Sequence, residues 1–328
     1  MAAPEPRLSA GGAFPEVAYL DDLRRALVEG GPPLPEITQR LLLDTLGIGN
    51  RQAFDFLCSQ RPDRAGFEAW LKAIAGEPDP TLLARYHDVV LRGQSTPIAE
   101  IDQAPDVLDA DAIKQWEREG WVLVPQAIPA SRCADVAALI WDYLGASPDD
   151  PASWYGNETE GIMVPIYQHE ALEIARRSPR VHEAFAQLWG RSDLWVTIDQ
   201  LGFNPPETPQ RGFQGTPLHW DASLVPPIPF ATQALIYLTD TQADQGAFRC
   251  VPGFHHRIEV WLDGLGDTDP RSVDLSQHAV CIPGQAGDLV IWRQDLPHGA
   301  SPNRADQPRL VQYLNFYPPD LEIAEEWR

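Results

Sequence analysis

From Gly190 onward the chain is a succession of short runs rich in β-branched and aromatic residues, punctuated by Gly, Pro and Asp. The runs are "LWVTIDQLGF", "TPLHWDASL", "QALIYLTD", "GAFRCVPG", "HAVCIPG", "GDLVIWRQ" and "RLVQYLNFYP". Many short strands at fairly even spacing, without intervening helices, predict a β-sandwich or jelly roll. In each strand residues i and i+2 share a face, so the residue types at alternate positions decide what the interior holds.

The preceding segments read differently. "DADAIKQWEREGWVLVP" predicts a short helix leading into a strand, and "SRCADVAALIWDYLGA" and "SPRVHEAFAQLWG" predict amphipathic helices opened by Ser131 and by Ser178-Pro179. Residues 1–105 carry apolar residues at helical spacing in five stretches, with start signals at Asn50 and Asp79-Pro80. "RGQSTPIAEIDQAPDV" is polar and Pro-bearing and reads as a linker. Two units are expected: a helical N-terminal region over residues 1–105 and a mainly β domain with flanking helices over residues 106–328. The first unit shows no chemistry-bearing cluster and is expected to supply no metal ligand. Its leucine-rich stretches would cover the β domain or form a contact between subunits, which leaves a homo-oligomer open.

Composition narrows the class. With 44% hydrophobic and 22% charged residues among 328, the chain is globular and long enough for a full core. No run approaches the roughly 18–20 apolar residues of a membrane span. The opening stretch "MAAPEPRLSAGGAFPEV" lacks an apolar signal core, so a cytoplasmic protein is expected. Cys58, Cys133, Cys250 and Cys281 form no CxxC pair and read as reduced thiols. A formal net charge of −22 repels phosphate backbones and anionic membrane surfaces, which disfavours nucleic-acid and membrane partners and leaves a small-molecule substrate.

The chemistry lies in the β region. "LHWDAS" places His219 and Asp221 two apart, on one face of a predicted strand. "RQDLPHGASPN" adds His298 beside a glycine, just after the strand "GDLVIWRQ". Two imidazoles and one carboxylate, with open positions on the metal, suit non-haem Fe(II). Arg309 follows eleven residues after His298, where a guanidinium could clamp a dicarboxylate in two-pronged fashion. A hydrolase or isomerase using the same three ligands around Zn or Mn would not need Arg309 there.

With these motifs in order, the sequence resembles the phytanoyl-CoA dioxygenase family of Fe(II)/2-oxoglutarate-dependent oxygenases over about residues 106–319. "HWD" corresponds to the family's His-x-Asp, "DQGAFRCVPGFHHR" is similar to its "NGxLxxxPGSH" stretch, and "GDLVIWRQDLPHGASPNRADQPR" follows its Gly-Asp, His, Asn and Arg pattern. The resemblance implies a double-stranded β-helix (jelly roll) core, with His219, Asp221 and His298 as iron ligands. It also implies that Arg309 binds the distal carboxylate of 2-oxoglutarate, with Gln200 lining the cosubstrate pocket. Iron, 2-oxoglutarate and O2 are the implied cofactor and cosubstrates. Hydroxylation of a C–H bond with release of succinate is the default outcome, and desaturation, epimerisation and ring formation are the alternatives. Members often carry a serine two residues after the distal His; here Ala300 stands there, with Ser301 next as the candidate replacement. A basic residue is common on the strand before His-x-Asp, where this chain has Asn204. Halogenating relatives carry a small residue at the Asp221 position, so the carboxylate argues for oxygen insertion. Nothing marks a coenzyme A site.

Other residues have structural expectations. His255 and His256 are expected to stabilise a turn, and Asn303 to tie down the loop after His298. Trp154 and Tyr155, in the loop-like "DDPASWYGNETEGIMVP", are expected either to form a substrate-facing lid or to pack on the barrel wall. The prolines of "SLVPPIPF" are placed near the pocket mouth.

Overall fold

A computed structural model describes residues 14–156, 161–324 and 326–328. The first five helices are α1 (Leu20–Glu29), α2 (Glu36–Thr45), α3 (Asn50–Gln60), α4 (Arg64–Ala75) and α5 (Pro80–Arg92). Their apolar stripes meet in one cluster that buries Leu23, Leu42, Leu57, Phe67, Leu71 and Tyr86. Asp79 opens α5 as expected, accepting from the N–H groups of Thr81 and Leu82 with Pro80 in the first turn. Asn50 is instead the first helical residue of α3, with Gly49 at the cap position.

The linker stretch contains a single short turn of helix, α6 (Ala99–Asp102), before α7 (Ala110–Glu119), β1 (Trp121–Val124) and α8 (Ala130–Leu144). The Ser131 start signal is displaced, because α8 begins at Ala130 directly after Pro129. Next come β2 (Met163–Val164), α9 (Glu170–Arg176) and α10 (Pro179–Trp189), the last opened by Ser178 accepting from Val181 N–H.

The remaining strands are β3 (Trp195–Val196), β4 (Leu201–Asn204), β5 (Thr232–Tyr237), β6 (Phe248–Cys250), β7 (Val280–Ile282), β8 (Leu289–Arg293), β9 (His298–Ala300), β10 (Arg309–Tyr313) and β11 (Phe316–Tyr317). They form a six-stranded sheet in the order β1-β8-β5-β10-β4-β2, a three-stranded sheet β7-β6-β9 and a two-stranded pair β11-β3. All recorded pairings are antiparallel. One helix, α11 (Ile258–Gly264), interrupts the expected all-strand series.

The large sheet is covered on both faces, and the period of two sorts its residues. Ala234 and Ile236 of β5, Leu289 and Ile291 of β8 and Leu310 of β10 pack with α8, α9 and α10. Leu235, Tyr237, Val290, Trp292 and Val311 turn the other way and meet Phe248, Cys250 and Ile282 of the small sheet. That second layer is the interior of the jelly roll.

The N-terminal helices rest on the β3–β11 side, where their cluster takes in Trp195, Ala231, Tyr317 and Leu321. Polar ties cross the same junction. Asp44 of α2 accepts from Ile198 N–H at 3.0 Å and from the Tyr317 hydroxyl at 2.6 Å. Arg85 of α5 donates to the Leu194 carbonyl and stacks over Trp195. The four cysteines are free thiols. Among the described residues, no helix is long and apolar enough to cross a membrane.

Candidate metal centre

The expected strand carrying His219 and Asp221 is absent, and residues 216–224 form bends around a single β-bridge. Proline at 217, and at 226, 227 and 229 beyond the motif, withholds the N–H groups that a regular ladder needs. The bridge nevertheless joins the segments that carry His219 and His298. His219 N–H donates to the His298 carbonyl at 2.9 Å, and His298 N–H returns a bond to His219 at 3.0 Å. Gly299 permits this approach, since a Cβ there would stand 2.5 Å from the Thr216 carbonyl oxygen and 2.6 Å from that of Pro217.

His219, Asp221 and His298 converge, with ligand atoms all within 4.8 Å of one another. Nε2 of His219 is 3.3 Å from Asp221 Oδ1, and Nε2 of His298 is 3.2 Å from Asp221 Oδ2. Each imidazole is oriented from behind. His219 Nδ1 lies 2.8 Å from the Pro217 carbonyl and His298 Nδ1 lies 3.1 Å from that of Leu296. A carbonyl can only accept, so each Nδ1 carries the proton and Nε2 is the atom turned to the centre.

Burial opposes charge on His219, but the hydrogen-bonded Asp221 carboxylate outweighs it and raises its pKa above the ordinary value. Burial likewise opposes ionisation of Asp221, yet the hydrogen bonds that His219 and His298 donate from Nε2 when protonated hold it well below the usual carboxylate range. The carboxylate is therefore ionised at neutral pH. Two neutral-capable imidazoles and an ionised carboxylate form a donor set that fits Fe(II).

A cavity of about 330 Å³ opens on this triad and includes Gln200, Arg309 and Tyr313 in its wall. Arg309 is only 1% exposed. Its Nε has no hydrogen-bond partner, and its Nη2 donates to the Tyr313 hydroxyl at 3.4 Å. Among the described residues no carboxylate pairs with it. A buried cation without a counter-ion is costly, so this end of the cavity is shaped for an anion.

Gln200 lines the cavity and sits beside Asp199, which also lines it. Ser301 is placed elsewhere: its hydroxyl donates to the Ala243 carbonyl at 3.0 Å, and Ala300 is the residue at the cavity wall. Strand alternation is the reason, because successive residues point to opposite faces. Asn303 ties its loop as expected, donating to the carbonyls of Asn204 and Gln307 and accepting from Ala305 N–H. His255 and His256 both hydrogen-bond the Glu117 carbonyl, a turn-stabilising arrangement.

Trp154 is buried and donates to the Ser147 carbonyl, while the Tyr155 hydroxyl donates to that of Pro206. Of the two expectations for this segment, packing on the barrel wall is the one observed; residues 157–160 lie outside the described residues. Sequence reading missed Gln233, Trp292 and Tyr313, all of which line the cavity. Tyr313 had a signal, standing four residues after Arg309 and so on the same strand face. Gln233 had none, since it meets the centre only through cross-strand pairing.

Several known proteins are similar to this chain. The family described as Phytanoyl-CoA dioxygenase (PhyH) matches residues 116–311, more than half of the chain. A putative phytanoyl-CoA dioxygenase of Dictyostelium discoideum is 21% identical over 261 residues, covering 62% of this chain and 74% of the relative. An ectoine dioxygenase of Halomonas elongata is 22% identical over 280 residues, covering 76% of this chain and 82% of the relative. Among solved structures, a non-heme alpha ketoglutarate dependent epimerase from nogalamycin biosynthesis is 20% identical with a TM-score of 0.45, covering 63% of this chain and 80% of that one. The chain belongs to the phytanoyl-CoA dioxygenase family of Fe(II)/2-oxoglutarate-dependent oxygenases.

Proposed function

We propose that this oxygenase inserts oxygen into a C–H bond of a small molecule, with His219, Asp221 and His298 as its iron ligands. Arg309 holds the distal carboxylate of 2-oxoglutarate. The observation that carries the reading is a fully buried guanidinium, without a carboxylate partner among the described residues, facing the same cavity as the His-Asp-His cluster. A hydrolase or isomerase on the same ligands has no use for it.

Iron, 2-oxoglutarate and O2 together supply the oxidising chemistry, in which 2-oxoglutarate becomes succinate and CO2. The protein's part is positioning. The carbonyls of Pro217 and Leu296 fix the imidazoles, and Arg309 sets the cosubstrate's far end while Tyr313 braces it. Phe248 and Trp292 pack beside His298, with ring centroids 6.2 and 5.2 Å from it, and give the reaction space an apolar wall that excludes water. Asp221 would take the metal position that a halide needs, which favours oxygen insertion over halogenation.

Purified protein loaded with iron is expected to release succinate from 2-oxoglutarate in an O2-dependent manner. Release should be stimulated by its substrate, whose product gains one oxygen atom by mass spectrometry. Loss of hydrogen without oxygen gain would assign desaturation or ring formation instead. Absence of any 2-oxoglutarate binding would remove the oxygenase reading.

A further inference from the structure

A second cavity, also of about 330 Å³, adjoins the first and shares Asp199, Asp221, Gln233 and Asn315 with it. Asp221 is the most open of the three proposed ligands, its side chain 51% exposed against 32% for His219 and 5% for His298. The second cavity thus lies against the accessible side of the metal centre. Its walls come from distant parts of the chain, among them α2, residues 197–199, the segment after the His-x-Asp motif, and the C-terminal residues. Leu43, Ala231 and Leu321 supply apolar surface.

Asp199 and Asp221 face both cavities, which differ in their other charged groups. The first holds the buried Arg309, which has no carboxylate partner among the described residues. In the second, Arg40 is the one cation among the described lining residues, and Glu36 already holds it at 2.5 and 3.0 Å. Asp44 is tied to Tyr317 and Ile198. Asp199 accepts from the Thr197 hydroxyl at 2.5 Å, and no cation among the described residues pairs with it or with Glu322.

We infer that the second cavity is the substrate chamber, closed on one side by the N-terminal helices. The geometry points to an amphipathic small molecule bearing a cationic nitrogen. Its charge would lie toward Asp199 and Glu322, and its reacting carbon toward Asp221 and the metal. This rests on the oxygenase reading above. The opposed charges sort the ligands: the dicarboxylate is drawn to Arg309 and repelled from the acidic chamber, whereas the cation is repelled from Arg309. The same lining disfavours polyphosphate carriers such as coenzyme A thioesters. It also gives the N-terminal helices a role at the site without any metal ligand.

The full chain, loaded anaerobically with Fe(II) and 2-oxoglutarate, can be titrated by calorimetry with agmatine, choline and piperidine as cationic probes. Cyclohexanecarboxylate and acetyl-coenzyme A serve as anionic probes. Binding of 2-oxoglutarate is measured first, and its failure counts against the oxygenase reading alone. Given that binding, at least one cation is expected to bind, with at least fivefold loss in Asp199→Asn combined with Glu322→Gln. Ala231→Trp, which fills the chamber, should abolish it. The inference is overturned if no cation binds at millimolar concentration, if only the anions bind, or if cation binding is the same in Asp199→Asn combined with Glu322→Gln as in the wild type.

Discussion

The side-chain amide of Gln233 donates from Nε2 to Oδ2 of Asp221 at 2.7 Å. Its orientation is not arbitrary. Trp292 Nε1 lies 3.1 Å from Gln233 Oε1, and an indole N–H can only donate, so the amide oxygen must face Trp292 and the nitrogen must face Asp221. Gln233 and Trp292 are direct partners in the β5–β8 register, so the sheet itself aims the amide at the carboxylate.

Gln233→Leu should therefore weaken iron binding without removing a ligand. Second-sphere partners of this kind are typically worth about 10- to 100-fold in metal affinity. Competitive titration with an iron chelator measures it, and wild-type affinity in the variant would show that the amide does not hold Asp221.

The three proposed ligands make a stronger demand. His219→Ala, Asp221→Ala and His298→Ala should each abolish turnover and lower iron affinity together. Full turnover by Asp221→Ala with iron bound would dismiss the carboxylate from the coordination sphere.

Arg309→Lys should raise the 2-oxoglutarate requirement, because one ammonium cannot reproduce the paired donors of a guanidinium. Loss of a charged hydrogen bond costs roughly 1.5–3 kcal/mol, which is about 10- to 150-fold in affinity. Arg309→Met removes an uncompensated buried cation, so the free protein should become harder to unfold thermally even as 2-oxoglutarate binding is lost. An unchanged 2-oxoglutarate dependence in either variant would move the anchor elsewhere.

Asp44 gives a prediction in pH. Burial pushes its pKa from 3.8 up to about 7 in the folded protein. The folded chain thus holds a proton there that the unfolded chain releases above about pH 4. Stability from this site is present below the unfolded value and is lost as pH rises through about 7, a swing of a few kcal/mol. Thermal unfolding should show higher stability at about pH 5.5 than at about pH 8, and Asp44→Asn should flatten the difference. An equally steep profile in Asp44→Asn would assign the dependence to another group.

How far the sequence reaches is clear from particular residues. Short β-rich runs after Gly190 cannot bury both faces except in a layered sheet, so the jelly roll was legible from local pattern. The Asp79-Pro80 start of α5 was legible for the same reason, since a cap bonds only to its own first turn. The types of His219, Asp221, His298 and Arg309 and their order along the chain carried the chemistry, because Fe(II) and a carboxylate accept few alternatives to them. Long-range geometry had no such local code. The His219–Asp221 segment forms a bridge to His298 in place of the expected strand, as prolines near it compete with sheet pairing. Gln233 reaches Asp221 only through the register of β5 against β8. The opposed charges of the two cavities depend on which acids find partners, and Asp44 finds Tyr317 from 273 positions away. Residue type sets what each group can do, but only the packed chain decides which groups stay unpaired, because pairing at such separations is fixed by the burial of the whole core.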